Sequence, residues 1–378
     1  MDTKKSTTTL LVTLLLTCNL CFADDWPQFR GPHRDGKSAE TGLLKEWPQD
    51  GPGLLWSVEG LGIGFSSVAV ANGFVYTTGM LDGGRVYMFS GTGVMACFNA
   101  RSGREIWRVD TLKEFDGRNI RWGMSCSPLI DGDKVYCTPG GKKGTIVALD
   151  KTTGRTIWAT TGLDEPSAYC SPILIERGGR RLLITMIQKS VICVSADDGR
   201  LIWREPYPAP SDTGTITPVY HDGCLYVTSV VNRGVTSAGT MFELSADGTS
   251  VKKNWNDQTL DCQHGGVILL DGYLYGSNWY DSVKGDWICL DWDTGQVVHK
   301  TTWNGSKGSI VYADKMFYCY DEDGNVGLVK ASPKGFDVVS TFAVTQGSGK
   351  HWAHPAISDG RLYIRHGEAL MAYDIMAE

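Results

Sequence analysis

ALDKTTGRTIW, residues 148–158, reads as a short apolar strand, a tight turn at Gly154 and a second strand opened by Trp158. Glycine supplies the positive φ that such a turn needs, and Asp150 with its threonine neighbours can hold the loose backbone donors around it. Aligned on that glycine, the phrase returns as CFNARSGREIW (97–107), CVSADDGRLIW (193–203) and CLDWDTGQVVH (289–299). Gly103, Gly154 and Gly199 are 51 and 45 residues apart, and Gly199 and Gly295 are 96 apart, which leaves room for a degenerate copy around 243–255. A fixed period of this size identifies units that cannot bury both faces alone and must pack on one another.

A second phrase precedes each of these: an apolar strand, a turn that is usually Asn-Gly or Asp-Gly, and another apolar strand. It stands at 68–76, 129–136, 219–226, 269–275, 311–318 and 357–363, with 173–184 as the loosest copy. Asn-Gly and Asp-Gly between alternating apolar residues are strong hairpin signals. Each unit is therefore four strands, and four-stranded units repeated every 40–50 residues without long amphipathic helices predict an all-β fold, a β-propeller. Seven hairpin phrases predict seven blades, with eight as the alternative count. The last unit stops one strand short after Ala372-Tyr373-Asp374, and 54–58 (LLWSV) can supply the missing outer strand and close the ring.

Composition agrees with one exported domain. The chain has 378 residues, 42% hydrophobic and 21% charged, with 46 glycines and 13 tryptophans. The formal charge of −6 and the lack of long basic runs give a phosphate backbone nothing to follow, so nucleic-acid binding is not expected. Lys4-Lys5, the apolar run 10–16 and Cys21-Phe22-Ala23 read as a signal peptide (1–23) cleaved after Ala23. That run is too short to span a bilayer. The mature chain, 24–378, is expected to be a single periplasmic or secreted domain and a monomer. Of eleven cysteines, nine lie beyond the signal peptide, an odd number with no C-x-x-C pair, so neither a disulfide framework nor a metal site is expected. The position six before the turn glycine (Cys97, Ala148, Cys193, Cys289) is read as an inner-strand site where blades converge and a small apolar side chain is needed.

The phrase at 148–158 resembles the tryptophan-docking motif of the pyrroloquinoline-quinone (PQQ) repeat propellers, which include quinoprotein alcohol dehydrogenases and BamB-type outer-membrane assembly proteins. Trp26-Pro-Gln-Phe-Arg-Gly-Pro32 resembles the start of many exported bacterial PQQ-like repeat proteins. The resemblance covers essentially the whole mature chain. It implies a blade-docking role for Gly103, Trp107, Asp150, Gly154, Trp158, Gly199, Trp203 and Gly295. It specifies the fold and leaves the function open, because function resides in a site placed on the fold. A quinoprotein dehydrogenase of alcohols or sugars would, by the same resemblance, carry PQQ on an adjacent-cysteine disulfide, calcium held by Glu, Asn and Asp, and an Asp base. This chain has no adjacent cysteines, and its Asp321-Glu-Asp-Gly-Asn325 reads as a hairpin tip without the spacing of a calcium loop. The expectation is a binding or scaffold module without a cofactor. The alternatives are a PQQ- and calcium-dependent dehydrogenase and a BamB-type envelope scaffold with a protein partner.

In a propeller the innermost strands begin beside the axis at one face. The segments leading into them carry Arg121, Trp122, Tyr169, Gln263, His264, Lys307, Trp352 and His354. Two cations, aromatic faces and convergent polar groups suit an anionic or sugar-like small molecule in a central funnel.

Overall fold

A computed structural model describes residues 25–62, 64–207, 213–230, 238–280 and 284–377. The signal-peptide expectation for 1–23 lies outside them. Seven four-stranded antiparallel sheets form the blades of a β-propeller. Blade two is representative: Leu129–Asp131, Lys134–Cys137, Val147–Asp150 and Thr156–Ala159 lie side by side in chain order. The last blade takes Ala356–Ser358, Arg361–His366 and Ala369–Asp374 from the C-terminus, and Gly53–Val58 pairs with Ala369–Asp374 as its outer strand. The strand expected at 54–58 thus closes the ring. Among the described residues, helix is confined to one turn, Thr111–Glu114, capped by Asp110.

The hairpin at 68–76 is not the head of the first blade. Ala69–Ala71 and Phe74–Tyr76 form a two-stranded sheet of their own, joined to Trp26 through paired backbone bonds with Val70 (2.9 and 2.8 Å). The first blade opens at Met80–Asp82 and turns at Gly83 and Gly84, both at positive φ, into Arg85–Phe89. The hairpin signal at 68–76 therefore belongs to a sheet of its own and not to the first blade. The Asn72-Gly73 turn satisfies the local pattern equally well whether or not a third and fourth strand follow.

The repeated phrase acquires its meaning between blades. The Trp107 indole lies against Gly154 of the next blade, where a Cβ would fall 2.8 Å from Cε3, and its Nε1 donates to Lys151 O at 3.0 Å. Trp158 sits the same way on Gly199, at 2.4 Å, and donates to Ala196 O at 3.1 Å. Trp255, from the degenerate copy, covers Gly295 at 2.4 Å. Two members differ. Gly103 has nothing within 4 Å of a built Cβ, since the two-stranded hairpin precedes its blade and brings no tryptophan. Trp203 is buried, yet Gly248 of the next blade meets Leu182 and Arg177 instead.

The small residue six before the glycine lies in the third strand of its blade, not the innermost. It pairs directly with the tryptophan position of the outer strand: Cys97 with Trp107, Ala148 with Trp158, Cys193 with Trp203 and Cys289 with His299. A register irregularity follows at once in each case. A bulge aims the indole at the next blade, and a small fully buried partner leaves it room. All nine described cysteines are free, and eight are buried.

These contacts predict unequal glycine substitutions. Gly199→Ala forces a Cβ into Trp158 at φ +74, combining about 1 kcal/mol of backbone strain with about 1–3 kcal/mol of overpacking. Gly132→Ala, at φ +57 in open space, should lose only the first part, about 1 kcal/mol. Urea unfolding of the two variants compares them directly, and equal losses would remove interblade docking from the account.

The segment 26–38 crosses the ring. Arg34, 4% exposed, donates to Ser127 O, Pro128 O and Pro172 O ahead of blades two and three, and to Gln28 Oε1 at 2.8 Å. Arg30, 3% exposed, donates to Val267 O at 2.7 Å ahead of blade five. Gly36 and Ser38 exchange backbone bonds with Tyr312 in the inner strand Gly308–Ala313. Residues 33–37 thus stand in the axial channel, with a cavity of about 210 Å³ between them and the inner strands Ile173–Arg177, Val219–His221 and Ile268–Leu270. Two desolvated guanidiniums bind the polar ends of strands that converge on the axis and cannot pair across it.

Candidate functional site

The eight residues expected in the funnel fall into two groups. Arg121, Trp122 and Tyr169 form an open cluster. Trp122 is 61% exposed, its ring centroid is 5.7 Å from that of Tyr169, and the Arg121 guanidinium carbon stands 4.9 Å over its face. The Trp122 backbone N–H donates to the Tyr169 hydroxyl at 3.2 Å, which fixes one ring relative to the other. Arg121 over the Trp122 ring is a favourable cation–π contact that leaves the rest of the indole open to solvent.

The second group is largely buried and centres on Glu322, which the sequence places in a hairpin tip and not in the funnel. Glu322 Oε1 lies 2.9 Å from Lys307 Nζ and 3.5 Å from His264 Nε2, and the carboxylate and ammonium are almost fully buried. Lys307 therefore spends its charge inside the protein. His264 packs on Trp352 at 5.2 Å between centroids, and Trp352 packs on the exposed Phe65 at 5.1 Å. His354 Nε2 lies 2.5 Å from His264 O, and its ring meets Phe29 edge-on at 5.0 Å. Because a carbonyl only accepts, Nε2 carries the His354 proton and Nδ1 is left as an acceptor. Gln263 Oε1 is buried without a hydrogen bond.

Burial sets the ionisation of this group. Desolvation first, then His354 and Lys307, lower the His264 pKa to about 3. Desolvation and then Arg30 lower that of His354 to about 3. Burial raises Glu322, while Lys307 and then Trp352 pull it back. Both imidazoles are therefore neutral at physiological pH, beside one ion pair.

Glu322 stands in the acidic run 321–325, whose sequence reads as a hairpin tip and gives no sign that one of its carboxylates turns into the funnel. That run is a hairpin tip, with Asp321 Oδ1 accepting from the backbone of Asp323 and Asn325. Position in the run, however, sends the Glu322 side chain inward. Phe29 meets His354, and Arg30 meets Val267, across more than 230 residues, and no local pattern connects them.

A family model described as "Outer membrane protein assembly factor BamB" matches residues 48–301. The chain belongs to this PQQ-like propeller family. Quinohemoprotein alcohol dehydrogenase ADH IIB of Pseudomonas putida is 27% identical over 150 residues, 36% of this chain. The match spans 20% of that relative's length. BamB from Moraxella catarrhalis superposes with a TM-score of 0.59 at 16% identity, covering 85% of this chain and 99% of that one. Quinohemoprotein alcohol dehydrogenase ADHIIG from Pseudomonas putida HK5 gives 0.65 at 13% identity, covering 94% and 81%. At these identities the structural likenesses concern the fold.

Proposed function

We propose that this family member is an exported binding module whose funnel face takes a small ligand, with no redox chemistry of its own. The observation that carries this reading is Trp122, held by Tyr169, capped by Arg121 and left 61% exposed. Such a surface stacks on a flat or sugar-like ring and offers one mobile cation beside it. Export rests on residues 1–23. Among the described residues no helix is long and apolar enough to cross a membrane.

Support for reading the site without PQQ and calcium comes from its donor set. Calcium takes six to eight oxygen ligands. The buried carboxylate of the cluster, Glu322, is committed to Lys307, and its other near neighbour is a neutral imidazole. Among the described residues no three His, Cys, Asp or Glu side chains group as metal ligands. These residues do not fit a calcium-bound quinone.

Replacing Trp122 and Trp352 together with alanine should leave the fold intact and weaken any ligand found in a metabolite screen at least about tenfold, equivalent to about 1.4 kcal/mol. Trp122→Ala alone serves as the control that leaves the buried cluster untouched. Unchanged binding in the double variant would exclude the funnel face. Purified protein mixed with PQQ and calcium should show no quinone absorbance shift and no dye reduction with alcohols or sugars, and turnover would overturn the reading. The family match favours one second reading, an envelope-assembly scaffold, which specific co-purification of a membrane-protein partner would support.

A further inference from the structure

Each inner strand starts at the funnel face, so the turn that ends it lies at the opposite face. Between blades four and five that far face holds a cavity of about 620 Å³. Three of its lining residues are aspartates in turns. Asp222 follows Val219–His221, Asp271 follows Ile268–Leu270, and Asp293 follows Trp287–Asp291. Lys37, His221 and Leu269 line both this cavity and the axial one, so the two adjoin. The repeat explains why aspartate stands at 222 and 271, which hold positive φ of 42° and 50° in hairpin turns. It does not explain why they stand alone. At the same turn in blades one, two, six and seven the aspartate meets a cation: Asp82 meets Lys151, Asp131 meets Arg181, Asp314 meets Lys45 and Asp359 meets Arg361. The carboxylates of Asp222, Asp271 and Asp293 make no hydrogen bond or ion pair among the described residues.

Nearby cations are already engaged. Lys37 Nζ lies 3.1 Å from the Asp35 carboxylate and donates to Leu269 O at 3.3 Å. Arg177 reaches Gly223, beside Asp222, but its guanidinium donates to Ser245 O at 3.1 Å and Leu244 O at 3.4 Å. Burial first, then Glu243, Asp222 and Asp293, raise the pKa of the Cys224 thiol on the cavity wall, so carboxylates of both blades act on one space. Unpaired carboxylates around a cavity focus a negative field in it and select a cation. Their charge is distributed: among the described residues no three His, Cys, Asp or Glu side chains group closely enough to hold a metal ion. Charge placed at separate points calls for ammonium groups placed at separate points. Leu269, Leu270 and the largely buried Trp292 give an apolar wall for the methylenes between them. The volume falls within the range of about 300–1,000 Å³ of small-molecule sites. We propose that the far-face cavity between blades four and five binds a linear polyamine. It is a second site, independent of the Trp122 platform on the funnel face.

The test uses the full mature chain, calorimetry at low salt and three probes: spermidine, butylamine and magnesium chloride. Spermidine should bind at least about tenfold more tightly than butylamine. Magnesium should displace it no better than sodium chloride of equal ionic strength. Asp222→Asn combined with Asp271→Asn keeps residues that tolerate positive φ, so the melting temperature should hold while spermidine weakens at least about tenfold. Asp293→Asn alone should weaken it severalfold, and it decides the matter should the double variant fail to fold. Asp116→Asn with Glu59→Gln removes the same charge from exposed positions at the funnel face and should leave binding unchanged. The Trp122→Ala, Trp352→Ala variant should also bind spermidine as the wild type does, whatever becomes of the funnel ligand. The proposal is overturned by absence of spermidine binding or by equal binding of butylamine. Selective displacement by magnesium, wild-type affinity in the aspartate variants, or an equal loss in either funnel-face variant would overturn it as well.

Discussion

Arg34→Met is expected to lower the unfolding free energy by about 3–5 kcal/mol, among the larger single-residue effects available to this chain. The guanidinium satisfies Ser127 O, Pro128 O, Pro172 O and Gln28 Oε1 at the axis, where strands of different blades converge and cannot pair with one another. Methionine fills a similar volume and leaves these acceptors without donors, at about 1–3 kcal/mol for each one that water cannot reach. Part of that loss is offset, because burial already works against the charge. Desolvation lowers the Arg34 pKa to about 10. Arg34→Lys should fall between the two, since an ammonium keeps the charge and loses the planar fork. Urea unfolding at constant slope gives the magnitude, and proteolysis near the N-terminus should accelerate as residues 26–38 leave the channel. A loss below about 1 kcal/mol would mean that the segment covers the ring without holding it.

Acidification should destabilise the protein well above the pH at which carboxylates titrate. His264 and His354 have folded pKa values lowered to about 3, against about 6.5 in an unfolded chain. Between those values the unfolded state binds protons that the folded state refuses, so stability falls as pH falls, from about 6.5 toward about 3. At pH 4.5 each histidine is about two pH units below its unfolded value. The pair then accounts for a loss of about 5 kcal/mol relative to neutral pH. Glu322 acts in the opposite sense. Burial raises its pKa, so its contribution is lost as pH rises through that value, and Lys307 limits the size of the effect. Asp150, held to about 2 by the Thr152 and Thr153 hydroxyls, contributes stability that disappears only below about pH 4, outside this window. His351, lowered to about 4 by burial and then by His366, adds to the trend set by His264 and His354, so denaturant midpoints from pH 4.5 to 7.5 should slope upward, and His354→Gln should make the slope shallower without removing it. A flat wild-type profile would show that the imidazoles are hydrated and not desolvated.

The ring was legible wherever its cause was local. A glycine at positive φ, an Asp-Gly hairpin and a period-two apolar strand are each determined within a few residues. Their repetition delivered the blades, the closing strand at 54–58 and the degenerate fourth copy ending at Trp255. The same local character misplaced the hairpin at 68–76, whose turn is sound but whose next strand is not its neighbour in a blade. It also placed Cys97, Cys193 and Cys289 in an inner strand, although the bulge that seats them opposite the outer strand is a property of pairing.

The funnel was legible only in part. Approach segments to inner strands can be located from the repeat, so His264, Lys307, Trp352 and His354 could be gathered. What each one meets could not. Lys307 looked like a cation for a ligand, and Glu322, from a turn in the next hairpin, takes that role away. Arg121, Trp122 and Tyr169 form a separate open cluster.

By itself the sequence determined a seven-bladed ring, its N-terminal closing strand and the small residue demanded at each repeat, because backbone conformation and side-chain alternation are short-range properties. Tertiary structure alone decided that segment 26–38 occupies the axis and that Arg30 and His354 meet at Gly266. It also decided that Glu322 neutralises Lys307. Those contacts join distant parts of the chain through charge and desolvation, which depend on where the closed ring leaves no water.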